Sequence, residues 1–130
     1  MTILQPSGWP RPKGYSNGIS ARGRMIFTAG VVGWDQTESF PDYALHAQFA
    51  RALRNTLAIL AEDRAGPEHV VRMTVYVIDR HEYIASRDEI GAAWKDIMGA
   101  NYPAMALVEV SGLVEGAAKV EIETTAVVPD

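Results

Sequence analysis

The stretch Val70-Val71-Arg72-Met73-Thr74-Val75-Tyr76-Val77-Ile78 decides the fold. Its β-branched residues favour a pleated strand over a helix. Val71, Met73, Val75 and Val77 fall on one side, with Val70, Tyr76 and Ile78 on the other. A strand apolar on both sides belongs to a sheet with both faces covered. Toward the C-terminus, Tyr83, Ile90, Ala93, Trp94 and Ile97 recur at helical spacing and predict a helix from about Glu82 to Met98. Pro103 then opens a strand to about Val110, Gly112 and Gly116 bracket a turn, and Lys119 to Val128 form the last strand. In that strand Val120 and Ile122 alternate with Glu121 and Glu123, as expected when one face meets helices.

Toward the N-terminus, Leu45, Phe49, Ala52, Leu53, Leu57 and Leu60 make one apolar stripe. It predicts a helix of about twenty residues from Asp42, ended by Gly66-Pro67. Tyr15 to Ala21 and Met25 to Ala29 read as a hairpin turning at Arg22-Gly23. Residues 1–14 read as an irregular arm, because Pro6, Pro10 and Pro12 resist both helix and central strand. The order β-β-α-β-α-β-β implies an α+β domain, a mixed β-sheet with two helices on one face. Two helices cannot cover both faces, so a second copy of the chain is expected on the other.

The 130 residues, 48% hydrophobic and 22% charged, suit one ordinary domain spanning 1–130. With no cysteine, disulfides, thiolate metal sites and cysteine nucleophiles are excluded together. A formal net charge of −4 gives no broad cationic field for nucleic acid. The first twelve residues lack the apolar core of a signal peptide, and no apolar run is long enough for a bilayer. A cytoplasmic protein without membrane partners is the expectation.

Candidate chemistry is sparse. His46, His69 and His81 share no ligand spacing, so no metal site is expected and surface or capping roles fit better. Arg11, Lys13, Arg22 and Arg24 have no acidic neighbour there, and form either a solvated edge or an anion site. Glu121 and Glu123 lie two apart on one strand and share the face expected to meet a partner. A glutamate in an interface cleft is partly desolvated, which raises its pKa toward the range useful for proton transfer. The alternative is that both are solvated or paired with Lys119 or Arg72.

The run from Tyr102 to Val110, followed by Leu113 and Val120-Glu121-Ile122-Glu123, resembles the signature of the Rid family, the reactive-intermediate deaminases also called the YjgF family. Tyr15-Ser16-Asn17-Gly18, Phe27-Thr28-Ala29-Gly30, Gln48, Asn55 and Val71 to Val77 with Asp79 extend the resemblance over nearly the whole chain. It implies a chorismate-mutase-like α+β fold, assembled as a homotrimer around a central barrel, with active sites in the clefts between subunits. Archetypal members hydrolyse 2-imino or 2-enamino acids to keto acids and ammonia without metal or organic cofactor. Glu121 matches the glutamate that positions the attacking water, Tyr15 the aromatic residue of the cleft, and Gly30 the glycine beside the substrate.

Several cleft positions depart from that pattern. Met105 replaces an arginine that grips the substrate carboxylate, a contact whose loss costs about 2–5 kcal/mol of binding. Ala29 replaces a hydroxyl residue, and Leu107 a cysteine or other small residue, making the pocket less polar. Arg87, where the archetype has a cleft-facing asparagine, either supplies the missing cation or is simply solvated. Trp34 either closes the cleft mouth or packs at a subunit edge. The expected function is cofactor-independent deamination of an imine or enamine small molecule with a less polar structure. The alternative is a non-catalytic trimeric module that binds a metabolite or a protein in the same cleft. Endoribonuclease activity, a label some relatives bear, is disfavoured by the acidic charge and the lack of a basic-aromatic stripe.

Overall fold

The computed structural model describes residues 1–130. Its strands are β1 (Thr2–Leu4), β2 (Gly18–Ser20), β3 (Arg24–Phe27), β4 (Val31–Val32), β5 (Val70–Val77), β6 (Ala104–Glu109) and β7 (Val120–Val128). The helices are α1 (Leu45–Ala61), α2 (Arg80–Ala85) and α3 (Arg87–Met98). The main sheet runs β3-β7-β5-β6, with β4 also paired to β7. The β5–β6 pair is parallel and the pairs with β7 are antiparallel, which makes the sheet mixed. No helix is long and apolar enough to cross a membrane.

One face of the sheet carries the core. Met73, Val75 and Val77 of β5 and Val120 and Ile122 of β7 are fully buried against Leu53 and Phe49 of α1 and Trp94 and Met98 of α3. These strand residues alternate along the chain, so one face is apolar while the residues between them face away. Gln48 and Thr56 are the buried polar residues of α1, and the Thr56 hydroxyl donates to the Ala52 carbonyl while Gln48 reaches out of the helix. Its Nε2 donates to the carbonyls of Asp42 and Ala117, and its Oε1 accepts from Lys119 N–H.

Four expectations are corrected. The second helix is two, so three helices cover the face: Ser86 adopts φ −109°, ψ 21°, and its hydroxyl donates to the Glu82 carbonyl, breaking the helix between α2 and α3. The first helix stops at Ala61, before Gly66-Pro67. Arg64 enters the left-handed region at φ 59°, and Ala65 N–H donates to the Leu60 carbonyl, closing the helix there. The hairpin at Arg22-Gly23 does not form. β2 pairs instead with β1, whose residues precede the first proline, and β3 pairs with the end of β7. Gly23, at φ 148°, lets β3 pass close to Val128, whose carbonyl oxygen lies 2.1 Å from where a Cβ would stand.

Finally, Val70 belongs to the core face. An irregularity between Val70 and Arg72 turns Val70 inward, where it is 2% exposed, and Ile78 lies beyond the strand end. The open face of β5 therefore carries Arg72, Thr74 and Tyr76, a mixed rather than apolar surface. Large apolar side chains on that face sit at its flanks, where Met25, Phe27 and Val108 are exposed.

Candidate functional site

The expected site residues fall into two groups on opposite faces of the sheet. Met105 and Leu107 of β6 lie in register with Met73 and Val75 and pack on the helix side. Glu121 of β7 lies opposite Tyr76 and faces the open side.

On the helix side, Met105 and Leu107 meet Tyr15, Tyr83, Lys13 and Gly14 at one end of a cleft. The adjoining cavity, about 430 Å³, continues between Met105, Tyr83, Arg87 and Lys13 to Phe49, Trp94 and Tyr102. Tyr15 is held at this edge by its neighbour. Ser16 is buried, donates its backbone N–H to the Pro103 carbonyl at 2.9 Å, and donates its hydroxyl to the Tyr102 carbonyl. Trp94 stacks on Tyr102, with ring centroids 6.0 Å apart and 13° between planes, and its indole N–H donates to the Asn101 carbonyl. Burial pushes the Tyr83 phenol above its ordinary pKa, opposed in part by the charge of Arg87.

Arg87 opens α3 and borders the cavity. Its Nε donates to the Ile84 carbonyl at 3.2 Å, and its guanidinium makes no ion pair. Three of the N-terminal cations separate. Arg24 pairs with Asp63, whereas Lys13 lines the cavity and Arg11 a neighbouring groove.

On the open side, Glu121 is half-buried and abuts Gly30, whose added Cβ would stand 2.5 Å from Glu121 Oε2. The Glu121 carboxylate makes no hydrogen bond or ion pair within the chain. The two neighbours proposed to neutralise it do not. Lys119 pairs with Glu82 at 3.0 Å and sits over the Tyr43 ring, and Arg72 forms no ion pair. Glu123 is different, because it accepts the Tyr76 hydroxyl, a bond that raises the Tyr76 pKa. Ala29 is exposed beside Gly30, and its carbonyl accepts the Thr28 hydroxyl.

Trp34 does not border the cavity. It packs on Phe40, centroids 6.0 Å apart, and its carbonyl accepts from Asn55 Nδ2. His69 takes a capping role, its Nδ1 accepting Gly66 N–H. The sequence singles out Lys13 only as one of four cations of a solvated edge or an anion site, and gives no sign of Phe49 or Gly91 as cavity residues. Lys13 had no periodic context, and Phe49 reads equally as core.

The family described as Endoribonuclease L-PSP matches residues 10–128. A RutC family protein of Synechocystis is 34% identical over 132 residues, covering 99% of this chain and 98% of that one. Among solved structures, YyfB of Yersinia pestis, a Rid family protein, superposes with a TM-score of 0.82 at 28% identity over 98% of each chain. TdcF of E. coli, solved with serine bound, superposes with a TM-score of 0.71 at 28% identity, over 98% of this chain and 99% of that one.

Proposed function

The chain belongs to the Rid/YjgF family, and on that premise we propose that it is a cofactor-independent hydrolytic deaminase of a reactive imine or enamine. The observation that carries this reading is the unpartnered Glu121 carboxylate held against Gly30. A free carboxylate beside backbone can accept a proton from water as the water oxygen attacks the C=N carbon. Glu121 passes that proton to the nitrogen to give the tetrahedral C(OH)–NH2 adduct, then relays the adduct's hydroxyl proton to the same nitrogen, so that the C–N bond breaks to leave a carbonyl compound and ammonia. Tyr15, Ala29, Gly30, Met105 and Leu107 would line the substrate, with Glu121 as the catalytic group.

Met105 carries no charge for a substrate carboxylate. Arg87, unpaired at the same cleft, is the residue we assign to that task, from a different wall than the archetypal arginine. We further propose that the site is completed by a second copy, in a homotrimer whose open sheet faces line a central barrel. Two features support this assembly. Glu121 and the Met105 cleft lie on opposite faces of one chain, so they can meet only across a seam. Met25, Phe27 and Val108 also leave apolar surface on the open face.

The second reading, a non-catalytic metabolite- or protein-binding module, is favoured by one observation, the apolar Met105 in place of a cation. Imino acids made in situ by an amino-acid oxidase, with semicarbazide as the trap, separate the two. The deaminase reading expects accelerated ammonia release that Glu121→Gln abolishes while ultracentrifugation shows an unchanged trimer. No acceleration for any imine would favour the binding module, and a monomer at micromolar concentration would remove the shared site.

A further inference from the structure

The cavity bordered by Lys13, Arg87 and Met105 is larger and more aromatic than a small imino acid needs. At about 430 Å³ it lies in the range of small-molecule sites. Its inner wall is Trp94 stacked on Tyr102 beside Phe49. Its lining includes Lys13, Arg87 and Lys95 but no carboxylate, and none of the three makes an ion pair, in a chain with a net charge of −4.

Gly91 leaves room for a ring on the α3 wall of the cavity. It occupies the interior of α3, where glycine weakens a helix relative to alanine. No packing demands it, because a Cβ added there would meet nothing within 4 Å. Gly91 lines this same cavity and is exposed, so the room it leaves open lies where the cavity meets solvent.

We propose that the cavity takes a carboxylate ion bearing an aromatic side chain. Lys13 and Arg87 hold the carboxylate, and the ring occupies the space that Gly91 leaves beside Trp94 and Tyr102. That this ligand is the substrate rests on the deaminase reading; that it binds does not. Charge-assisted hydrogen bonds fix the acid end, and offset stacking on the Trp94–Tyr102 pair selects a flat ring over a short alkyl chain.

The test titrates the assembled protein with 3-phenylpropionate, propionate and 3-phenylpropan-1-ol, read by calorimetry and tryptophan fluorescence. 3-Phenylpropionate is expected to bind at least about tenfold more tightly than either of the others. Lys13→Met and Arg87→Gln should each weaken the acid about tenfold and leave the alcohol unchanged. Gly91→Leu should weaken 3-phenylpropionate but not propionate, with circular dichroism confirming the fold of each variant. Equal affinity for the two acids, no binding, or indifference to both cation variants overturns the inference. Ammonia release separates it from the deaminase reading. Hydrolysis of 2-iminopropionate without aromatic binding overturns the inference alone, whereas aromatic binding with no hydrolysis of any imine overturns the deaminase reading and leaves the ligand class standing.

Discussion

Gly30 and Glu121 are so close that a Cβ at position 30 would stand 2.5 Å from the carboxylate oxygen Oε2 and 2.8 Å from its carbon. The approach is fixed by pairing, because Val32, two residues after Gly30, lies in register with Glu121. A methyl group at position 30 must therefore push the flexible carboxylate aside rather than distort the sheet. Gly30→Ala should lower kcat/KM about 100-fold, since misplacing a reacting group by about 1 Å costs that much, with little change in unfolding midpoint. Steady-state kinetics beside a urea titration check this; full activity would mean that the position of Glu121 does not matter.

Gln48 ties the start of α1 to the loop before β7 through three hydrogen bonds and is 1% exposed. Gln48→Leu keeps the volume and strands two carbonyls and one N–H. It should destabilise the chain by about 2–4 kcal/mol. Urea unfolding monitored by circular dichroism measures it, and a loss below about 0.5 kcal/mol, the size typical of neutral surface changes, would contradict the role.

Two tyrosines titrate late. The Glu123 carboxylate accepting the Tyr76 hydroxyl raises that phenol, and burial raises Tyr83. Folded values above the unfolded value of about 10 mean that the native state holds these protons longer. The resulting stability is fully present below pH 10 and is lost as pH rises through the folded values. Absorbance of phenolate should therefore show a late component in wild type that shrinks in Tyr83→Phe. An unchanged titration in that variant would contradict the burial effect.

Legibility in the sequence followed range. The α1 stripe and the Val120–Ile122 alternation are local periodicities, and both residue sets lie in the core as expected. The turn at Arg22-Gly23 is also local, yet β3 pairs about a hundred residues away with β7, and no nearest-neighbour signal encodes that choice. Val70 was misplaced because one irregularity inverts side-chain direction without altering composition. Ser86 broke a helix whose apolar spacing runs through it unchanged. At the candidate site, Glu121 was reachable from strand spacing and from the family pattern. Lys13 was reachable only as one of four cations open to two readings, and Gly91 not at all, because their meaning lies in a cavity assembled from α1, α2, α3, β6 and the N-terminal arm.

The site's division between two faces is most directly tested by mixing two damaged proteins. Glu121→Gln removes the proposed catalytic group from one half, and the double variant Lys13→Met/Arg87→Gln removes the cations from the other. Each is expected to release little ammonia alone. Dissociated, mixed in equal amounts and reassembled, they should recover roughly a quarter of wild-type activity, because random pairing in a cyclic oligomer makes that share of seams intact. A mixture no more active than its components would place both halves of the site within a single chain and contradict the shared seam.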